Sequence, residues 1–593
     1  MLSSINDTAD PCLDFKGYLN AKDDYMYAQL SKENNAREKT NRKFHSMFER
    51  LKNGTYEAGS VEEMVFKLYN TCQTPGRQRS DYVKYVQPDI NLPWPLNTPD
   101  GLPWPKERFQ WLVTLARLQR YGMKDVLLNL KIKVDRENHT EPLVVIKQSE
   151  TRHKDLFRDY RIDSEFNEND LIEKGFKRSQ AKSMSENLNN LLLALESLDE
   201  KRTKSFQGKR LTLQQLESDY GISLRKYLET VFERRFAPSF HLLIDDVNYL
   251  VELNQLLSTY NQEIVACYLM VRFQDYMSSL THYNDDCGDI VQSNMLFASD
   301  LLFEEHVLGE KKFKEYQDQI PQIFKAIIKS FKRRLERNRL NLPLSQISAF
   351  IKFLDGLTIN VGSMPSDKDH RSFVMDYYAD LDLDDDDNLD TMRLKLSMLR
   401  TRRMLEKLDQ PVSSSPSTLD IFNGVDFNTI NIPYILLSEP LFMTRGHEVF
   451  KFGSIGTLLA EKVLGAFHNW DVDFNCEDLI NLGKSLDDHD IYTNKTFRCS
   501  ENFYYTIGGI LGVKLNLMSL VHDAYFSTES GYDHLQHIFT DVPLKQLFFI
   551  QFAQRHLPLF IYYFSTKTEK LFLTMPAFIE AFNCSNSPMI HQR

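Results

Sequence analysis

The chain has 593 residues, 71 of them Lys or Arg and 82 Asp or Glu, for a formal net charge of −11. A hydrophobic share of 42% with 26% charged residues is ordinary globular composition, which excludes a disordered or fibrous chain. The length implies two or more domains, and the acidic balance argues against a nucleic-acid partner, since phosphate contacts need a basic surface.

In chain order, the N-terminal Met1–Phe15 stretch has neither a basic n-region nor an apolar h-region, so no secretory signal is visible in the chain as given. Pro88 to Pro105 holds six prolines and two copies of Leu-Pro-Trp-Pro, which forbids regular helix and predicts an extended, packed loop. Glu141 to Gln148 reads as a strand. Met184, Leu188, Leu191, Leu192, Leu195 and Leu198 form one apolar helical stripe, and so do Ile320, Ile323, Phe324, Ile327, Ile328, Phe331 and Leu335 within Tyr316–Leu335. Asp380 to Asp390 is an acidic run that fails as a calcium loop, because Asp385 stands at the turn position that needs Gly and Thr391 at the twelfth. It is expected to be a solvated acidic linker. Thr429 to Leu437 reads as a second strand. From Ile455, the residues Leu459, Val463, Ala466, Phe467 and Trp470 gather on one side of a helix, and Glu461 and Gly465 fall away from it. The apolar run Leu557 to Phe564 is far short of a membrane span. None of the seven cysteines forms a C-x-x-C pair, which removes zinc ribbons and thioredoxin-like sites. N-x-S/T sequons stand at Asn6, Asn53, Asn138, Asn494 and Asn583, and they matter only in the secretory pathway.

Several blocks in one order resemble the neprilysin and endothelin-converting-enzyme family of zinc metallopeptidases. Asn428–Phe442 (NTINIPYILLSEPLF) is similar to the family's N-x-I-x-F-P-A-G-I-L-Q-P-P-F-F without a gap. Lys451–Asn469 (KFGSIGTLLAEKVLGAFHN) resembles N-F-G-G-I-G-x-x-x-x-H-E-x-x-H-G-F-D-D. Gln546–Gln554 and Pro576–Met589 resemble the closing segments, and Asp10–Tyr18 (DPCLDFKGY) the opening one. The resemblance implies a mainly α-helical fold with a small β component. Two multiply connected domains would enclose a central cavity, the C-terminal one thermolysin-like. The domains are expected at 1–75 plus 391–593, the peptidase domain, and 76–390, the helical domain that closes the cavity.

Zinc peptidase chemistry needs two His one turn apart on a helix and a Glu beside the first as general base. The resemblance puts Glu461 at the first His, Lys462 at the base and Gly465 at the second His. Gly465 has no side chain, and a charged Lys462 can neither accept a proton nor tolerate Zn²⁺ beside it. The third ligand falls on Glu501 or Asn502, depending on how Ser500–Gly509 is aligned with one extra residue. The substrate-gripping N-A-F/Y motif becomes Asp420-Ile421-Phe422, so its amide donor is a carboxylate; Asp420, Phe422 and Phe467 mark the expected peptide cleft. The D-x-H-S-P-x-x-F-R segment has no counterpart between Gln554 and Cys584. The expectation is therefore no catalytic residue, no metal and no cofactor.

The resemblance also implies disulfides Cys12–Cys584 and Cys72–Cys287, which form in an oxidising compartment. Cys267, in an apolar helical stretch, reads as a buried free thiol. Cys476 and Cys499 are left either to pair or to stay free. The leading expectation is an inactive, extracellular or cell-surface, glycosylated pseudopeptidase that binds peptides or a protein partner. The alternatives are a metalloendopeptidase with rewired zinc ligands, separable by metal content, and a structural partner of an active homologue, separable by peptide-induced stabilisation.

Overall fold

A computed structural model describes residues 5–19, 32–74, 82–98, 102–124, 126–134, 141–149, 165–200, 208–279, 286–338, 341–409, 425–426, 429–439, 441–469, 507–528, 530–532, 534–535, 540–563, 572–573 and 575–584. The chain is mainly α-helical with two small sheets, as expected. It divides into two compact units, one of Met1–Leu51, Asp300–Asp369 and Asp420–Arg593, the other of Lys52–Ser299 and His370–Leu419. These boundaries differ from those expected at 75/76 and 390/391: residues 52–75 and 391–419 belong with the second unit, and 300–369 with the first. Among the described residues no helix is long and apolar enough to cross a membrane.

The second unit is built on a sheet of order β1-β2-β4-β3, with β1 Leu128–Val134, β2 Pro142–Gln148, β3 Lys209–Thr212 and β4 His241–Ile244. β2 matches the expected strand. It pairs antiparallel with β1 (Leu130↔Ile146) and parallel with β4 (Val145↔Leu243). Leu143–Ile146 are buried without alternation, so both faces of the sheet are covered. The Arg178–Glu200 helix buries the expected Leu188, Leu191, Leu192 and Leu195. The Gln262–Ser279 helix is buried on nearly all sides and holds Cys267 as a fully buried free thiol, whose ionisation burial pushes far up. In the Pro-rich loop, Trp94 and Trp104 are buried and donate to the carbonyls of Val86 (2.5 Å) and Pro93 (2.8 Å). Cys72 and Cys287 are bridged, tying the Val61–Gln73 and Cys287–Asn294 helices together.

The acidic run is not a free linker. Lys395 holds Asp384 at 2.8 Å and Asp387 at 2.7 Å, and Lys67 holds Asp385 at 2.8 Å. Asn388 then caps the Leu389–Leu405 helix by accepting from the Thr391 amide. Two lysines far apart in sequence supply the counter-charge that a reading of the run by itself lacked.

In the first unit the two ends of the chain meet. Cys12 and Cys584 are bridged, and Phe15 packs against Phe572, Phe578 and Phe582 with ring centroids 5.0–5.4 Å apart. The Glu310–Arg337 helix buries its predicted stripe, Ile320 through Leu335. A sheet of order β5-β7-β6 follows, with β5 Thr358–Val361, β6 Val425–Asp426 and β7 Thr429–Ile432. β5 and β7 run parallel, joined across the pair by a Thr358–Thr429 hydroxyl bond of 2.8 Å and an Asn360–Asn431 amide bond of 3.1 Å. β7 is shorter than the expected Thr429–Leu437. Pro433 has no N–H to continue the ladder, and the chain turns into a short 3₁₀ helix, Tyr434–Leu437. There Tyr434 donates to Glu304 and lies under Gly362, where a Cβ would come within 2.4 Å of the Tyr434 hydroxyl oxygen.

Candidate functional site

The segment that carries the resembled metal helix is built in two parts. Phe452–Gly456 winds as one wide π turn, and Thr457–Asn469 continues as α-helix. Ile455, Leu459, Val463 and Ala466 are all buried and Glu461 and Gly465 are not, in line with the helical spacing, although the segment opens with a π turn, a feature often found at functional sites. Every residue from Lys451 to Ala460 is buried, so this part has no solvated face at all. Two glycines make that possible. A Cβ on Gly453 would lie 3.1 Å from the Phe548 carbonyl oxygen and from Gln551 Cβ, and one on Gly456 would lie 3.2 Å from Val521 Cγ1. They let the π turn press against the Leu544–Tyr563 and Ile507–Phe526 helices.

One turn later the surroundings open. Glu461, Lys462 and Gly465 are half-buried, while Val463 and Ala466 are buried on the packed side. Among the described residues, a Cβ built on Gly465 meets nothing within 4 Å, in contrast to Gly453 and Gly456.

The Ile507–Phe526 helix, against which the metal-type helix packs, is anchored by the Glu310–Arg337 helix. The buried Arg334 guanidinium reaches Asp523 at 2.7 Å and Ser519 at 2.8 Å, and Ser330 donates to the Leu520 carbonyl at 2.9 Å. Burial pushes the Asp523 carboxyl up, but the neighbouring His522 and Arg334 outweigh it and hold it at about 2. His522 is itself buried among Phe526, Phe548 and Phe549, with Nδ1 3.7 Å from Asp523 Oδ1, just beyond hydrogen-bond length. Sequence reasoning missed this network. Its signal was a charged residue, Arg334, beside Leu335 in an otherwise apolar stripe, followed far along the chain by the His522-Asp523 dipeptide.

Two other histidines, His447 and His534, have structural partners. His447 Nδ1 accepts from the Val449 amide as a helix cap, and Glu448 pairs with the buried Lys451 at 2.6 Å. The His534 ring donates from Nε2 to the Tyr525 carbonyl at 2.7 Å, and its possible metal partner, His537, lies outside the described residues.

Of the expected site residues, the structure brings Glu461, Lys462 and Gly465 together on one helix. Phe467 lies on the same helix, its side chain outside the described residues, as are Asp420, Phe422, Glu501 and Asn502. Cys476 and Cys499 lie outside as well. Both expected disulfides are present. Asn53 and Asn583 are exposed and Asn6 is half-buried, whereas Asn138 and Asn494 are not among the described residues.

The donor set on this helix does not fit zinc. Adjacent positions present one carboxylate and one ammonium, and the position one turn on presents no atom beyond Cα. Zinc sites of this class take three protein ligands, of which this helix would have to give two.

Comparison with known proteins follows the same lines. The sequence profile of peptidase family M13 matches residues 11–340, more than half of the chain. The neutral endopeptidase of Lactococcus lactis subsp. lactis is 24% identical over 281 residues, covering 45% of this chain and 42% of that protein. The same values hold for the Lactococcus lactis subsp. cremoris protein, so the chain spans well under half the length of the curated relatives it matches. In fold, the chain is similar to the zinc metalloprotease Zmp1 of Mycobacterium tuberculosis in complex with inhibitor, at TM-score 0.68 and 16% identity over 100% of this chain and 97% of that one. It is also similar to PepO of Lactobacillus rhamnosis, at TM-score 0.59 and 15% identity over 99% and 98% of the two chains. The Haemonchus galactose containing glycoprotein complex gives TM-score 0.60 and 13% identity over 99% and 96%. The chain belongs to peptidase family M13.

Proposed function

We propose that this chain is a catalytically inactive, neprilysin-like pseudopeptidase that binds peptides or a protein partner without hydrolysing them. The observation that carries the reading is the composition of the metal-type helix: Glu461, Lys462 and Gly465 stand where two His and a general-base Glu are needed. An ammonium at position 462 opposes both roles required there. It repels Zn²⁺, and while charged it cannot take a proton from water. The half-buried face left by Gly465 supports a surface that receives a ligand but performs no chemistry on it. The two disulfides and the exposed sequon asparagines Asn53 and Asn583 support a secreted or cell-surface glycoprotein.

Purified protein, disulfides intact, should hold far less than one zinc per chain and show no chelator-sensitive cleavage of a peptide library. Stoichiometric zinc with such cleavage would refute the reading. A peptide pool should raise the thermal midpoint, because a ligand of the folded state stabilises it; no shift with any pool would remove the peptide-binding half of the proposal. Glu461→His, Lys462→Glu and Gly465→His combined should raise zinc affinity at least tenfold over the parent chain.

A further inference from the structure

The second unit holds a cavity to which the peptidase reading gives no role. Three helices end around it, Trp111–Gln119, Arg225–Phe232 and Leu389–Leu405, with Arg120, Glu233 and Glu406 at their C-terminal caps. The cavity has a volume of about 70 Å³, room for about five waters or an organic group of that many heavy atoms. Val231, Phe232, Met398 and Leu405 line it with apolar side chains, and Arg120, Arg234 and Arg402 with cationic ones.

Helix C-termini attract cations, which accounts for arginines gathering here. The carboxylates at the cavity are each matched by one of them. Arg120 pairs with Glu233, Arg234 holds Asp409 by two bonds of 2.5 and 2.6 Å, and Arg403 holds Glu406 at 3.1 and 3.2 Å. Arg402 is left over. Its nearest carboxylates, Glu233 and Asp380, are each 4.0 Å away, and each has a closer arginine, Arg120 and Arg403 respectively. Among the described residues the Arg402 guanidinium makes no hydrogen bond with its five N–H donors, and the side chain is 40% exposed. Glu233 adds a second sign. It caps its helix in the left-handed conformation, at φ +52°, where Gly or Asn is ordinarily found. That strained position sets its carboxylate within reach of both Arg120 and Arg402, and strain of this kind gathers at ligand sites.

We propose that this cavity binds a small carboxylate, its anionic end on Arg402 and its short apolar arm against Phe232, Met398 and Leu405. A carboxylate matches the planar guanidinium with two parallel N–H···O bonds, which a chloride ion does not reproduce. A cationic ligand has the wrong sign, because Glu233, Glu406 and Asp409 already have their arginines. Free acids and the acidic side chains of peptides share this chemistry. The site belongs to the other unit from the metal-type helix and stands whether or not that helix has lost its reaction.

Propionate is the probe, followed by saturation-transfer NMR on the full, disulfide-intact chain at constant ionic strength. It should bind at least threefold tighter than formate, which lacks the apolar arm, and propylammonium should not displace it. Arg402→Gln should weaken binding at least fivefold and Arg402→Lys by less. Arg235→Gln, which removes an exposed cation that does not line the cavity, should stay within twofold of wild type. Phenylglyoxal modification of the wild-type chain tests the same site without any variant: propionate should protect Arg402 and leave Arg235 reactive. A capped peptide amide with a single glutamate separates the two sources: displacement of propionate assigns the site to peptide side chains, and failure to displace assigns it to free acids, either result supporting a carboxylate site. No saturation transfer from propionate, binding no tighter than that of formate, displacement by propylammonium, equal losses in Arg402→Gln and Arg235→Gln, or protection confined to other arginines would each overturn the proposal.

Discussion

Two neighbouring turns of one helical segment have had opposite fates. In Phe452–Gly456 the two glycines are required by contact, each with a neighbour 3.1–3.2 Å from where its Cβ would be. One to two turns later, Glu461, Lys462 and Gly465 are half-buried, and a Cβ on the glycine meets nothing within 4 Å among the described residues. The first stretch answers to packing, which penalises any change in the core whether or not the protein does chemistry. On the proposed reading, the second stretch answers to the reaction alone, and a peptidase that gives up its chemistry keeps the frame of its metal helix while losing its donors.

The contrast can be broken by substitution. Gly453→Val should be the most damaging change, destabilising the chain by about 3 kcal/mol through overpacking against Phe548 and Gln551, measured as a fall in the denaturant midpoint. A loss below about 0.5 kcal/mol would mean that the π turn yields easily and that its glycines are not held by contact. Arg334→Met should cost about 2–3 kcal/mol, because Asp523 and Ser519 lose their buried partner and the Ile507–Phe526 helix loses its anchor. A neutral outcome would show that the helix is held by apolar packing alone.

Acid sharpens the same point. The Asp523 carboxyl titrates at about 2 in the folded chain, below its ordinary value of 3.8, so its contribution is present above pH 4. That contribution is lost as pH falls from about 4 to about 2. It amounts to about 1–2 kcal/mol once partial exposure is allowed for, and Asp523→Asn should remove this part of the acid sensitivity. Gly465→Ala is the mildest test and has the opposite sign. With no neighbour within 4 Å among the described residues, it should stabilise the chain by about 0.5–1 kcal/mol through helix propensity. Destabilisation would mean that position 465 is packed after all.

Much of the helical layout was legible because apolar residues at spacings of three and four must face a core. Tyr316–Leu335 and Met184–Leu198 both fall inside buried helices. The blocks quoted for the family pointed to the Cys12–Cys584 and Cys72–Cys287 bridges, which geometry alone could not have paired. What was illegible depended on partners distant in sequence. The acidic run looked solvated because Lys67 and Lys395 could not be seen to meet it. The π turn hid inside an apparently regular helix, since its cause is the close approach of Phe548, Gln551 and Val521. Arg334 hid in an apolar stripe because its counter-ion lies nearly two hundred residues on. At the metal-type helix, by contrast, the proposal rests on residue identity: glycine has no imidazole, and a charged ammonium is no base.

Zinc analysis of the purified, disulfide-intact chain, paired with a peptide-cleavage assay with and without chelator, is the most direct measurement. Substoichiometric zinc and no chelator-sensitive turnover are expected. One zinc per chain, with cleavage abolished by chelation and restored by metal, would contradict the reading of Glu461, Lys462 and Gly465 on which the proposed function rests.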